Sequence, residues 1–298
     1  MGTFEGHISP GVAFYTFGLL WMFQYSYRYQ AEQFLKQSSA QRPKGRCRRC
    51  MSSVPWESVM KIVYGTMAAL AEFFYPLGVN KLEMFRDGEL QHPNEWQHFT
   101  MYSYFAISGI VDIISLKILE HRSKTLEKLF VALAFGVESF LLYNHRHGKG
   151  SLENNIHILI FITAFACCVV SAAEIWHPTQ WLLPFMRTGL VSLQGTFFFH
   201  AAFIIYRPVS GIPWDSNDHR ATMFVTMAYS WHILLNIIIM SCIYGTVYLF
   251  CGRRWRKRSQ YYVNESPSKS NGIRQEEIEM IADTSDDEQY SSLRPLKN

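Results

Sequence analysis

The sequence predicts an all-α membrane protein: a bundle of seven transmembrane helices, with the N-terminus outside or in a lumen and the C-terminus in the cytosol. Three observations carry this. Charged residues make up 17% of the 298 and aromatics 15%, against about 25% charged in an average soluble domain. The charge is unevenly spread, since residues 253–298 hold 9 of the 28 basic and 8 of the 24 acidic side chains. What precedes them contains seven windows of about 20 mostly apolar residues, the length a helix needs to cross hydrocarbon. So long a segment with so little charge is neither disordered nor a nucleic-acid module. The chain therefore divides into a membrane domain, 1–252, and a basic juxtamembrane segment with a disordered cytosolic tail, 253–298.

The windows are Ser9–Tyr29, Glu57–Leu77, Trp96–Leu119, Leu126–Tyr143, Leu152–Trp176, Trp181–Tyr206 and Arg220–Phe250. Lys61 and Glu72 interrupt the second, and Lys128 and Glu138 interrupt the fourth, which is also short. The seventh is long enough to tilt or to project from the bilayer. Connections read as short except residues 30–56 and the tail. Trp21, Tyr27, Trp56, Trp96, Tyr143, Trp176, Trp181 and Tyr206 collect at the window ends, where amphipathic rings anchor at the interface.

Orientation follows from the basic residues. With the N-terminus outside, the cytosolic segments carry 15 Lys and Arg, including Arg42–Arg49 and Arg253–Arg258, and the outer segments carry 6. Basic residues favour the cytosolic side, and the odd number of spans agrees. No cysteine falls in an outer loop, so no lumenal disulfide is expected. The sequon Asn264-Glu265-Ser266 lies on the cytosolic side and should stay unmodified. Nothing basic precedes the first apolar run, so no cleavable signal peptide is expected. Met1-Gly2 lacks the Ser or Thr that myristoylation prefers at the position of Gly6.

Ionisable groups inside a membrane are costly, and each is a functional hypothesis. Glu72 and most of the eleven histidines fall near the outer ends of the windows. His7 precedes the first window, His98 opens the third, and His145 and His147 close the fourth. His157 lies one turn into the fifth, His200 in the outer part of the sixth, and His219 opens the seventh. Neutral imidazole is the commonest metal ligand, and zinc takes three or four His, Asp or Glu groups. The spacing carries no HExxH-like fingerprint, and hydrogen bonding at helix ends accounts for the same histidines. A deeper tier comprises Asp112, Glu138, Gln194, His232 and Asn236. Glu138 and His145 share a helix face about 10 Å apart along the axis. These groups either bond helix to helix or line a polar cavity in which Glu138 or Asp112 accepts a proton.

Cys47-Arg48-Arg49-Cys50 has the spacing of a zinc half-site without a second half. Among basic juxtamembrane residues, Cys47, Cys50 and Cys251 fit reversible palmitoylation, with plain reduced thiols as the alternative. The basic runs can bind anionic lipid or serve only as topology signals. In the tail, Thr284-Ser285-Asp286-Asp287-Glu288 is an acidic serine site that phosphorylation would charge further. Tyr290-Ser291-Ser292-Leu293 has the spacing of a tyrosine-based sorting signal, which would engage sorting adaptors.

Several motifs carry a resemblance: the start Gly2-Thr3-Phe4-Glu5-Gly6-His7 with Pro10-Gly11, His98-Phe99-Thr100-Met101-Tyr102, Val137-Glu138, Tyr143-Asn144-His145-Arg146-His147-Gly148, His157, Leu193-Gln194-Gly195, Pro213-Trp214-Asp215, Asp218-His219 and Trp231-His232. Together they resemble the transmembrane protein 45 family, which includes the transmembrane epididymal proteins, over about residues 1–250. The resemblance implies a multi-pass membrane protein of undefined biochemical activity. It supports His98, Glu138, His145, His147, His157, His219 and His232 as members of the family pattern, but not His200 or the tail.

Three function classes compete. One is a metal-dependent intramembrane hydrolase, with His98, His145, His147, His157, His219 and His232 as candidate zinc ligands and Glu138 or Asp112 as the candidate catalytic carboxylate. Another is a structural or trafficking protein of the plasma membrane or an endomembrane, whose polar residues only hold the bundle. The third, a receptor or transporter, is set aside. The Asp-Arg-Tyr, NPxxY and paired-cysteine features of rhodopsin-like receptors are missing, and Pro76 and Pro184 do not form the paired broken helices usual in transporters. Small residues such as Gly65 and Ala69 can mediate contacts within one chain or between two.

Overall fold

A computed structural model describes residues 3–37, 55–146, 149–212 and 214–264. It contains seven long helices: α1 Phe4–Gln37, α2 Trp56–Phe74, α3 Pro93–Lys117, α4 Lys124–His145, α5 Ser151–Trp176, α6 Leu182–Tyr206 and α7 His219–Asn264. Four segments are long and apolar enough to cross a membrane: Pro93–Lys117, Ser151–Trp176, Leu182–Tyr206 and His219–Arg253. α1, α2 and α4 carry more charge along their length.

Local chemistry explains the boundaries. α2 stops at Phe74 because Tyr75 precedes a proline and takes an extended conformation; the apolar window through Leu77 overran it. Pro93 opens α3 at a position where no N–H is needed. The Ser123 hydroxyl accepts from the Leu126 N–H and caps α4. α1 begins at Phe4, well before the apolar run, so His7 is helical. α7 continues without a break to Asn264, through the basic run that was expected to lie outside the membrane domain. Its 46 residues give a rod about 69 Å long, roughly twice the hydrocarbon thickness.

The α2–α3 connection is not short. It runs from Tyr75 to His92 and carries a two-stranded hairpin, β1 Phe85–Arg86 against β2 Glu89–Leu90. Asp87 and Gly88 make its turn, both at positive φ, as the twist of a two-residue hairpin requires.

The helices alternate in direction. α1 lies antiparallel along α6: Phe4 meets Phe203, Tyr15 meets Phe199, and Tyr29 meets Phe185. α2 packs on α3, α4 on α3 and α5, and α5 on α6, while α7 lies against α1, α5 and α6. The α1–α6 seam is closed by glycines. A Cβ on Gly195 would stand 2.3 Å from the Tyr15 nitrogen, and one on Gly18 2.8 Å from Ser192 Cα. Gly65 and Gly109 do the same for α2 against α3, within one chain.

Large apolar side chains face outward on all seven helices, among them Phe23, Met67, Ile110, Phe140, Phe165, Phe203 and Leu234. Lys61, Asp112, Glu138, His157, Glu174, Arg187 and Gln194 are buried. An apolar exterior around polar groups is the distribution that lipid selects.

Gly195→Val forces apart backbones already in contact and should destabilise the fold by about 1–3 kcal/mol or more. Gly245→Ala, where a Cβ meets nothing within 4 Å, should be neutral. Thermal unfolding in detergent, followed by exposure of the buried Cys167 thiol, measures both.

Candidate functional site

Two internal chambers divide the bundle lengthwise. The first lies at the end that holds the N-terminus of α1. Its walls are largely aromatic, with Phe14, Phe17, Phe105, Phe135 and Phe198 around a narrow space. The volume open to the centre of a water-sized sphere is about 90 Å³. Four histidines from four helices stand in it: His7 of α1, His98 of α3, His145 of α4 and His157 of α5.

These rings form a row. Centroids lie 4.8 Å apart for His98 and His145, 5.5 Å for His145 and His157, and 6.0 Å for His157 and His7. Each ring uses Nδ1 to bind an acceptor. His98 Nδ1 is 3.2 Å from Glu72 Oε2 and His145 Nδ1 is 2.7 Å from Gln97 Oε1. His157 Nδ1 donates to the Glu153 carbonyl at 2.7 Å and His7 Nδ1 to the Thr3 carbonyl at 3.1 Å. In the neutral ring these bonds place the proton on Nδ1 and leave Nε2 a lone pair. Among the described residues none of the four Nε2 atoms receives a hydrogen bond. An imidazole that ligates a metal is held by its other nitrogen in this way.

Glu138, seven residues before His145 on α4, lines the same chamber and accepts a hydrogen bond from Gln194 Nε2. Its Oε2, like Gln194 Oε1, is buried without a hydrogen-bond partner. The chamber thus presents hydrogen-bond acceptors that no donor among the described residues fills.

The second chamber lies toward the other end and is strongly polar. Its centre is Arg187 of α6, which donates from Nε to Glu174 Oε1 at 2.7 Å and from Nη2 to the Tyr25 hydroxyl at 2.8 Å. The Arg187 guanidinium also lies 4.7 Å from the Trp21 ring centroid. Lys128 reaches the Glu174 carbonyl at 3.2 Å. Lys61 of α2 pairs with Asp112 of α3, which also accepts from Ser58 at 3.4 Å. Arg122 pairs with Glu127 at 2.8 Å.

The histidines singled out in the sequence separate accordingly. His98, His145 and His157 come together, and His7 joins them. His219 does not; it is exposed on the first turn of α7. His232 sits elsewhere too, against His200, with His200 Nδ1 2.9 Å from His232 Nε2. The Nδ1 of His232 is buried without a partner. Among the described residues, no three His, Cys, Asp or Glu side chains already form a metal-holding group. Asp112 is engaged by Lys61 in the second chamber, away from the histidines. Cys251 is half-buried within α7. His147, Cys47, Cys50, Tyr290 and Leu293 lie outside the described residues.

His7 had a signal in the sequence. His7, Pro10, Phe14, Phe17 and Trp21 recur at helical spacing and fall on one face of α1; all five line the first chamber. The Arg187–Glu174 pair had only a weak one, the single Arg of α6 and the second of two Glu in α5.

The arrangement can be set beside known proteins. The family described as "Family of unknown function (DUF716)" matches residues 124–245. Transmembrane epididymal protein 1A of Mus musculus is 31% identical over 256 residues, covering 82% of this chain and 81% of the mouse protein. Transmembrane epididymal protein 1 of Rattus norvegicus matches to the same extent. The Homo sapiens protein of that name is 32% identical over 208 residues, 68% of this chain and 75% of the human one. The chain belongs to the family of the transmembrane epididymal proteins, and it is a helical membrane protein.

Arg187→Leu removes the closer of the two cations that Glu174 faces and leaves it only Lys128 at 3.7 Å. Breaking a buried pair costs about 3–5 kcal/mol, whereas removing both charges together costs less. The Arg187→Leu variant should therefore unfold at markedly lower temperature in detergent than the Arg187→Leu/Glu174→Leu double variant.

Proposed function

We propose that this protein crosses the membrane seven times, with its N-terminus lumenal or extracellular, and binds a divalent metal ion such as zinc in its first chamber. The observation that carries the reading is the row of Nε2 lone pairs, each fixed by a hydrogen bond at Nδ1 and, among the described residues, none met by a donor. Something cationic or donating must satisfy them, and a borderline-soft metal suits imidazole best. Two imidazoles on one tetrahedral zinc have ring centroids about 5 Å apart, given Zn–N bonds near 2.0–2.1 Å. The His98–His145 and His145–His157 spacings approach that value, and ring movements that close the third spacing would bring the three onto one ion.

A metal held there would act as a Lewis acid or as a fixed charge. Glu72 and Gln97 orient two of the ligands, and the Glu138 carboxylate places negative charge deeper in the chamber. The outward apolar faces of α1, α2 and α4, which resemble those of the four strongly apolar helices, support seven spans. The bias of 15 to 6 basic residues supports an outer position for the histidine chamber. Within the family, the sequence motifs favour the transmembrane protein 45 branch.

Metal analysis of detergent-purified protein tests the site. About one zinc per chain is expected, from a four-coordinate site. Joint His98→Ala, His145→Ala and His157→Ala substitution should abolish it, while His200→Ala/His232→Ala should not. Zinc absent from a folded wild type would leave the histidines a structural role.

The topology has its own test. An epitope at the N-terminus should be reached only from the outer or lumenal side, and one at the C-terminus only from the cytosol. The reverse pattern would sink the orientation.

A further inference from the structure

Trp21 and Lys61 line both chambers. The first chamber follows α1 from Gly6 to Trp21 and the second from Trp21 to Glu32. The 26 helical steps from Gly6 to Glu32 rise about 39 Å, more than the roughly 30 Å of a bilayer's hydrocarbon core. We propose that the two chambers are the outer and inner halves of one cation path through the bundle, held shut at Trp21 and Lys61. The choice of a divalent cation rests on the metal reading of the histidines; the path itself does not.

The chemistry on both sides of the closure suits a cation. The outer half offers imidazole lone pairs and Glu138 Oε2. In the inner half Lys61, Arg122, Lys128 and Arg187 each face a carboxylate, and Glu174 Oε2 takes no hydrogen bond. Lys128 and Arg187 share Glu174, so these four positive charges face three carboxylates. Among the described residues, the buried carboxylate oxygens that take no hydrogen bond are Glu138 Oε2 in the outer half and Glu174 Oε2, 3.7 Å from Lys128, in the inner half.

At the closure Trp21 is buried in a small apolar cluster with Phe135, Cys167 and Val191. The Trp21 ring lies 5.7 Å from Phe17 on one side and 4.7 Å from the Arg187 guanidinium on the other. Glu174 and Tyr25 fix that guanidinium. Lys61 crosses from α2 to Asp112 beside it. A constriction of this kind blocks flow by excluding water and opens when the ring or the ion pair moves. No broken helix is required, since the path runs between continuous helices.

Purified protein reconstituted into vesicles loaded with an impermeant zinc-sensitive dye tests the path. Trp21→Ala should raise zinc entry about tenfold over wild type, a lowering of the barrier by about 1.4 kcal/mol. Lys61→Met/Asp112→Leu, which removes both charges at once, should also raise it, and Phe23→Ala on the lipid face of α1 should not. Thermal unfolding of each variant in detergent confirms that it is folded. If the folded opening variants admit neither zinc nor thallium while wild type binds zinc, the path is overturned and the metal site stands. If zinc does not bind wild type but the opening variants admit thallium, the path stands and the metal reading falls.

Discussion

Ionisable side chains in this bundle cannot turn toward lipid, and the rest of the structure is arranged around that constraint. A charge in hydrocarbon costs several kcal/mol or more, so Lys61, Asp112, Glu138, Glu174 and Arg187 all point inward. Once inside, each needs a partner on another helix. The pairings Lys61–Asp112, Arg187–Glu174 and Glu138–Gln194 therefore tie α2 to α3, α5 to α6 and α4 to α6. Polar groups at a helix–helix interface also resist close packing, so space survives between the helices. The two chambers occur where the buried polar groups are.

The seam between α1 and α6 works by the opposite means. Gly18 and Gly195 remove side chains so that backbones meet, and aromatic residues from Phe4 to Tyr29 fill the flanks. With little hydrophobic force between helices already in lipid, contact of this kind is what holds them together. It also sets the rotation of α1, and with it the side of α1 that carries His7, Phe14, Phe17 and Trp21 into the interior.

Much of the architecture was legible in the sequence because low charge and apolar length are properties of single segments. The positions of the helices followed, as did the shared face of Glu138 and His145. Misreadings arose where a boundary or a rotation depended on something else. Tyr75 ended α2 through the proline that follows it, and Asp87-Gly88 made a hairpin in a connection read as short. His219 and His98 both open helices, yet one faces out and the other in, and a helix apolar on every side gives no period from which to read that difference. The pairing of His200 with His232 depends on the contact between α6 and α7, which no local pattern encodes.

The partnership of the first helix with the sixth has a consequence for how the protein is made. α1 leaves the ribosome early, but the surface it needs is complete only after residue 206, about 170 residues later. At roughly 5–20 residues per second that is some ten to thirty seconds of synthesis. During that interval His7, Trp21 and Tyr25 have no chamber to line, and the small-residue groove of α1 stands open in the membrane. Until α6 arrives, that groove has no partner within the chain. Substitutions at Gly18 or Gly195 would therefore harm production of the protein as well as the stability of what is produced.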